Sequence, residues 1–215
     1  MTSGTPRNTP LLIFRTAALL ISAAGLSFRL IAEPLQGGGW RHFFNTLGYF
    51  TIQSNLLVLA VFLLLLVHQL RGTPEKEPSP GLRGAALLYI LMTSGVFLLL
   101  LNSRFETTGL SRFVLYINHA ATALLLLTDC LLTLPRGALN RKMPGYWLVY
   151  PLAYWLLSIP ESLITGNFRY FFLNYRDFGT GPYLLAILLI AAAFYALGLL
   201  IVRLNRPRRK NTETV

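Results

Sequence analysis

Long apolar blocks alternate with short polar connectors along this chain, and the blocks set its architecture. They run from Leu11 to Leu35, Phe43 to Leu70, Gly84 to Leu101, Phe113 to Leu134, Tyr146 to Ile164 and Tyr183 to Val202. A helix needs about 20 apolar residues to cross the hydrocarbon core of a bilayer, and each block is near or above that length. Open strands leave backbone N–H and C=O groups without partners in lipid, so the blocks read as helices. The expected fold is all-α: a polytopic membrane protein, a bundle of six transmembrane helices forming one domain over 1–215 and ending in a basic cytoplasmic tail, 203–215. Arg29 shortens the first block to about the length of a signal-peptide core, but no small-x-small cleavage site stands near "IAEP", so a retained span is expected.

Composition agrees with the pattern. Hydrophobic residues make up 54% of the chain and charged residues 13%, with a mean hydropathy of +0.54, whereas a soluble domain carries about a quarter charged residues. The net charge of +11 is unevenly placed. Arg71, Lys76 and Arg83, then Arg136, Arg141 and Lys142, then the tail "RLNRPRRK" fall on one side. Arg41, Arg104, Arg112, Arg169 and Arg176 fall on the other. The positive-inside bias puts both termini in the cytoplasm and accounts for the charge without a nucleic-acid partner. The tail suits a topology anchor or a contact with anionic lipid headgroups.

Against this background "YFTIQSNLLV", residues 49–58, is out of place. Thr51, Ser54 and Asn55 stand at i, i+3 and i+4 and share one helix face, while Gln53 points elsewhere. Thr51 lies about eight residues, or roughly 12 Å, below the outer surface, and His119 about six residues, or roughly 9 Å, below it. Glu161 approaches the same level near the outer end of the fifth block. On the fourth block Tyr116, His119 and Thr122 are spaced by three and are expected to stack on one face. Ionisable groups at membrane depth suggest function or a specific partner. Three readings stand side by side, one of them the binding of a ligand or conduction of an ion. Thr51 acts as a nucleophile with His119 as its base, Ser54, Asn55 or backbone N–H groups holding the oxyanion; or the same residues are interhelical hydrogen-bonding glue. Glu161 suits orienting His119 or pairing with Arg29.

Other polar residues read as structure. Arg29 and Glu33 form an i,i+4 pair, and Arg15 and Asp129 lie at similar depth, close enough for a buried ion pair. Tyr170, Phe171, Phe172 and Tyr175 of the last outer loop suit a membrane-interface belt or a lid over a cavity. Three His and one Cys make no metal site. There is no phosphate-cradling glycine loop and no serine elbow, so no cofactor is expected. The absence of an internal repeat argues against a transporter of duplicated halves.

The stretches "FFNTLGYFTIQSNLLV", "YINHAATALLLLTDCLL", "YPLAYWLL" and "FRYFFLNYRDFG" resemble a bacterial family of six-span membrane proteins distantly related to the animal androgen-induced membrane proteins. The resemblance runs from the second span to the last outer loop. Those animal relatives are threonine hydrolases of fatty acid esters of hydroxy fatty acids. The resemblance implies Thr51 as nucleophile and His119 as base, with Asn118 beside it in the "NH" motif. It implies a membrane lipid substrate and the bacterial cytoplasmic membrane as location. Where the animal pattern has a second histidine, this chain has Thr122. The alternative expectation is a non-catalytic protein that binds or transports a lipid or small solute.

Overall fold

The computed structural model describes residues 8–35, 39–104, 106–166 and 168–207. The expected headgroup contacts of Arg208, Arg209 and Lys210 lie outside the described residues. The elements are α1 (Thr9–Ser27, continued by a π-helical turn Phe28–Ala32), α2 (Gly39–Leu47), α3 (Phe50–Arg71) and α4 (Pro80–Val96, continued by a π turn Phe97–Leu101). Next, α5 (Gly109–Tyr116) passes through a π turn, Ile117–Ala121, into α6 (Thr122–Thr133). Then come α7 (Met143–Trp147), α8 (Val149–Thr165), α9 (Tyr175–Phe178) and α10 (Thr180–Leu204). No strand occurs among the described residues.

Local chemistry explains several boundaries. Asn8 caps α1 by accepting the Leu11 N–H at 3.3 Å, and Ser79 caps α4 by accepting that of Leu82 at 3.2 Å. Pro10 and Pro80 sit in the first turns, where a missing N–H costs nothing. Gly72 closes α3 in the left-handed conformation, φ +65°.

Among the described residues five helices are long and apolar enough to cross a membrane: Thr9–Ala32, Phe50–Arg71, Pro80–Leu101, Gly109–Thr133 and Thr180–Leu204. The expected span over 146–164 is built differently, from α7 and the 17 residues of α8, which alone rises only about 25 Å. Pro151 is the physical reason for the break. It has no N–H to donate to the Trp147 carbonyl, and the Tyr89 hydroxyl donates to that carbonyl instead, at 2.8 Å.

α4 is the centre of the bundle, with Ala85 to Ile90 buried in sequence, and α3, α6 and α10 pack around it while α1 lies against α3. Two glycines permit close approach. A Cβ at Gly84 would lie 2.7 Å from the Trp147 ring, and one at Gly25 would lie 2.6 Å from the Ile117 side chain. Large apolar side chains point outward, Leu99 being 84% and Ile164 85% exposed. Such a surface suits lipid better than water.

One end of the bundle is closed by an ionic network. Asp129 takes Arg15 Nε at 2.9 Å and Arg83 Nη2 at 2.7 Å, and all three side chains are buried. Arg15 also donates to Gln69 and Glu77, both at 3.1 Å. The expected Arg15–Asp129 pair is present. Arg83, expected in a cytoplasmic connector, instead lies inside α4 against the same carboxylate. Removing one partner of such a network strands buried charge, at a cost of about 3–5 kcal/mol. Asp129→Ala is therefore expected to destabilise the detergent-solubilised protein by about that amount. A loss below about 1 kcal/mol in denaturant unfolding would place the network with weak surface pairs.

Candidate functional site

At the opposite end from Asp129 the helices separate. α8 reaches the rest of the molecule mainly through long side chains. The Tyr154 hydroxyl donates to the Gly48 carbonyl at 3.1 Å, Trp155 Nε1 donates to the Tyr183 hydroxyl at 2.6 Å, and Tyr150 donates to Gln53. Between α8 and the core formed by α3, α4 and α10 lies a cavity of about 100 Å³. One water needs roughly 10–15 Å³ of such space, so this volume exceeds what one or two waters fill. Its walls are apolar, among them Phe50, Met92, Val96, Leu152, Ile190 and Phe194. Thr51 stands in that wall, and Tyr170 and Phe172 of the aromatic loop close it. Of the four aromatic residues singled out in that loop, Tyr170 and Phe172 thus line the cavity, while Phe171 and Tyr175 do not.

Thr51 occupies the first turn of α3, after the extended residue Tyr49, so its N–H has no acceptor within the helix. That N–H donates to the Tyr170 hydroxyl at 3.3 Å, and the two hydroxyl oxygens are 3.1 Å apart. Tyr170 is Thr51's partner, and no hydrogen bond joins Thr51 to His119. The His119 ring is buried and stacks on Phe97 with centroids 4.0 Å apart. Its Nδ1 has no partner among the described residues.

The supporting residues are divided. Ser54 donates to the Phe50 carbonyl at 2.8 Å. The Asn55 amide donates to the Thr51 carbonyl at 2.9 Å and the Asn118 carbonyl at 3.0 Å. Both donor sets are thereby used on backbone, so neither residue is positioned as an oxyanion donor in this arrangement. They align the second and fourth blocks instead, with Asn118 extending the link to the Gly25 carbonyl at 3.0 Å. Of Tyr116, His119 and Thr122, expected on one face, the first two both meet the Phe97 ring, with centroids 6.0 and 4.0 Å away, although the π turn at 117–121 widens the helix between them. Tyr116 is 38% exposed and bonds to Arg112 and Asn102, whereas Thr122 is buried and donates to the Ile117 carbonyl at 3.0 Å.

Glu161 pairs with neither His119 nor Arg29. It accepts Arg169 Nε at 2.7 Å in a two-pronged contact, while Arg29 pairs with Glu33 at 2.7 Å, as expected. Arg169 also donates to the Asn45 carbonyl at 2.6 Å and lies over the Tyr49 ring. Burial opposes its charge, but the Glu161 carboxylate outweighs that and raises its pKa. Arg169 was invisible as a site residue in the sequence, where it reads as one more outer-loop cation. Its neighbour Tyr170 was legible only as an aromatic. The one available signal was a charge–aromatic pair adjoining the polar motif of α3 only in space.

Compared with known proteins, the chain matches no family model, no curated protein and no solved structure.

A Cβ on Gly48 would overlap the Arg169 guanidinium, the movable end of a flexible side chain. Gly48→Ala is accordingly expected to leave the protein folded while displacing Arg169 from Glu161. Hydrogen exchange over residues 168–173 should rise several-fold; unchanged protection would show that Arg169 does not hold the loop.

Proposed function

We propose that the protein is a membrane-embedded hydrolase of lipid esters, of the type that joins a fatty acid to a hydroxy fatty acid, with Thr51 as nucleophile. The observation carrying this reading is the position of Thr51: a hydroxyl in the first turn of a long helix, set in the wall of an otherwise apolar cavity. An acyl chain fills such a cavity, and its ester is the part that needs a polar partner. In the reaction, Thr51 Oγ1 attacks the ester carbonyl carbon while its proton passes to His119. The carbon–oxygen bond to the alcohol then breaks, and the departing oxygen takes that proton. Water attacks the acyl-threonine next, giving a proton to His119, and His119 passes it to Thr51 Oγ1 as the acyl–oxygen bond breaks, releasing the acid and free Thr51. In this proposal His119 reaches Thr51 through a water. Its unpartnered Nδ1 and the Asn55 bridge between the two segments support that role.

The same proposal takes α7 and α8 together as a sixth span and places both termini in the cytoplasm by the distribution of basic residues. The location is the bacterial cytoplasmic membrane, with anionic headgroups around the basic tail.

A second reading, binding of a lipid without turnover, is favoured by Thr51 being hydrogen-bonded to Tyr170 rather than to a base. A fluorophosphonate probe followed by mass spectrometry separates the two. Hydrolysis predicts an adduct on Thr51 that disappears in Thr51→Val and falls at least a hundredfold in rate in His119→Ala, the scale of general-base catalysis, with partial retention in Thr51→Ser. No adduct in folded wild-type protein, with lipid binding intact in both Thr51 variants, would establish the binding reading.

A further inference from the structure

The hydrogen-bonding inventory of the cavity singles out one group. Among its lining residues, Tyr154 has its donor committed to the Gly48 carbonyl, Trp155 to Tyr183, and Thr93 to the Ser54 hydroxyl at 3.5 Å. That leaves Thr51 and Tyr170. The pair holds two hydroxyl hydrogens, and one of them makes the mutual bond. Whichever residue donates it, the other hydroxyl hydrogen has no acceptor among the described residues. A spare O–H in an apolar wall is complementary to an acceptor oxygen carried by an apolar guest.

We infer that the Tyr170 hydroxyl is this donor and that it receives the carbonyl oxygen of the lipid held in the cavity, with Thr51 donating to Tyr170 from behind. This rests on the reading of the cavity as a lipid-chain site, but it does not require turnover. Three features favour Tyr170 over Thr51. The Thr51 N–H already donates to the Tyr170 oxygen, which polarises the phenol toward giving its own hydrogen away. Burial, opposed by the Thr51 hydrogen bonds, raises the Tyr170 pKa, so the phenol remains a donor at neutral pH and is unsuited to act as a base. Finally, the ring is held in place. It stacks on Phe172 with centroids 5.2 Å apart, meets Tyr49 edge-on at 5.7 Å, and follows directly on the clamped Arg169. Tyr170 thus contacts the guest, while Arg169 and Glu161 are positioning residues that act through it.

The test compares two non-hydrolysable ligands of equal shape in purified full-length protein: a long-chain methyl ketone, and its isosteric alkene with a CH2 in place of the carbonyl oxygen. Competition with a fluorescent fatty acid reads their affinities in wild type, Tyr170→Phe and Thr51→Val. Wild type is expected to prefer the ketone. Tyr170→Phe, which keeps both ring contacts, should weaken the ketone by about two- to tenfold, the factor set by one neutral hydrogen bond, and leave the alkene unchanged. Equal weakening of both ligands would reduce Tyr170 to a piece of wall and overturn the inference. Loss of ketone preference in Thr51→Val but not in Tyr170→Phe would transfer the donor role to Thr51 and overturn it as well. If wild type binds neither ligand, the cavity reading falls and this inference with it. A Tyr170-dependent ketone preference without any adduct on Thr51 would uphold the inference and remove hydrolysis alone.

Discussion

Asp129 is the residue on which the bundle's geometry depends. A carboxylate with no solvent exposure is sustainable only where cations and donors surround it, and here it draws Arg15 from α1 and Arg83 from α4 onto α6. Three helices separated widely in sequence must meet at that point or leave a charge stranded in an apolar interior. Glu77 adds a third tie, bringing the connector between α3 and α4 onto Arg15. The network gives one end of the molecule a single permitted arrangement. It also explains the presence of Arg15 and Arg83 within helices that carry no other charged residue.

The other end follows a different rule. There the helices are joined by hydrogen bonds from side chains to backbone and by stacked rings, with few ions inside. Asn55 and Asn118 each reach a carbonyl on a neighbouring helix, and the bare Gly25 lets the fourth block approach α1 closely enough for that bond. α8 stands farther off, connected by tyrosine, tryptophan and glutamate side chains long enough to bridge a gap. A cavity at that end is the geometric result of anchoring one wall by close packing and the other by reach.

The all-helical architecture and five of the long helices were legible because apolar block length is a strong signal in a chain this poor in charge. The Arg15–Asp129 pair was legible for a related reason: two opposite charges at one depth have little else to do. Arg83 was misplaced since a cation at a block's edge looks the same in sequence whether it faces the cytoplasm or turns inward. The exposure of Tyr116 was not legible, because spacing by three groups residues on a face without saying which of them reaches the surface of the bundle. The split of the fifth block was present in Pro151, but hydropathy alone reads through a proline. Thr51, Ser54 and Asn55 stood out in the sequence as polar residues within an apolar block. Their division of labour depends on partners in other elements, Tyr170 above all, which no local pattern contains.

That division bears on how a polar motif should be read inside an apolar segment. Of the hydroxyl and amide groups in "TIQSN", Ser54 and Asn55 direct their donors at carbonyls, and Gln53 donates to Leu47 and accepts from Tyr150. The donors of Ser54 and Asn55 are thus committed to structure, although the buried Asn55 Oδ1 has no partner among the described residues. Thr51 differs because the partner of its hydroxyl among the described residues, Tyr170, belongs to a loop rather than to a helix, and because the two together hold one more hydrogen than they can use between themselves. A surplus donor facing an apolar cavity is a more selective mark of a binding site than polarity itself. Polarity accounts for all the residues of the motif, and the surplus singles out the one pair that faces the space a guest would occupy.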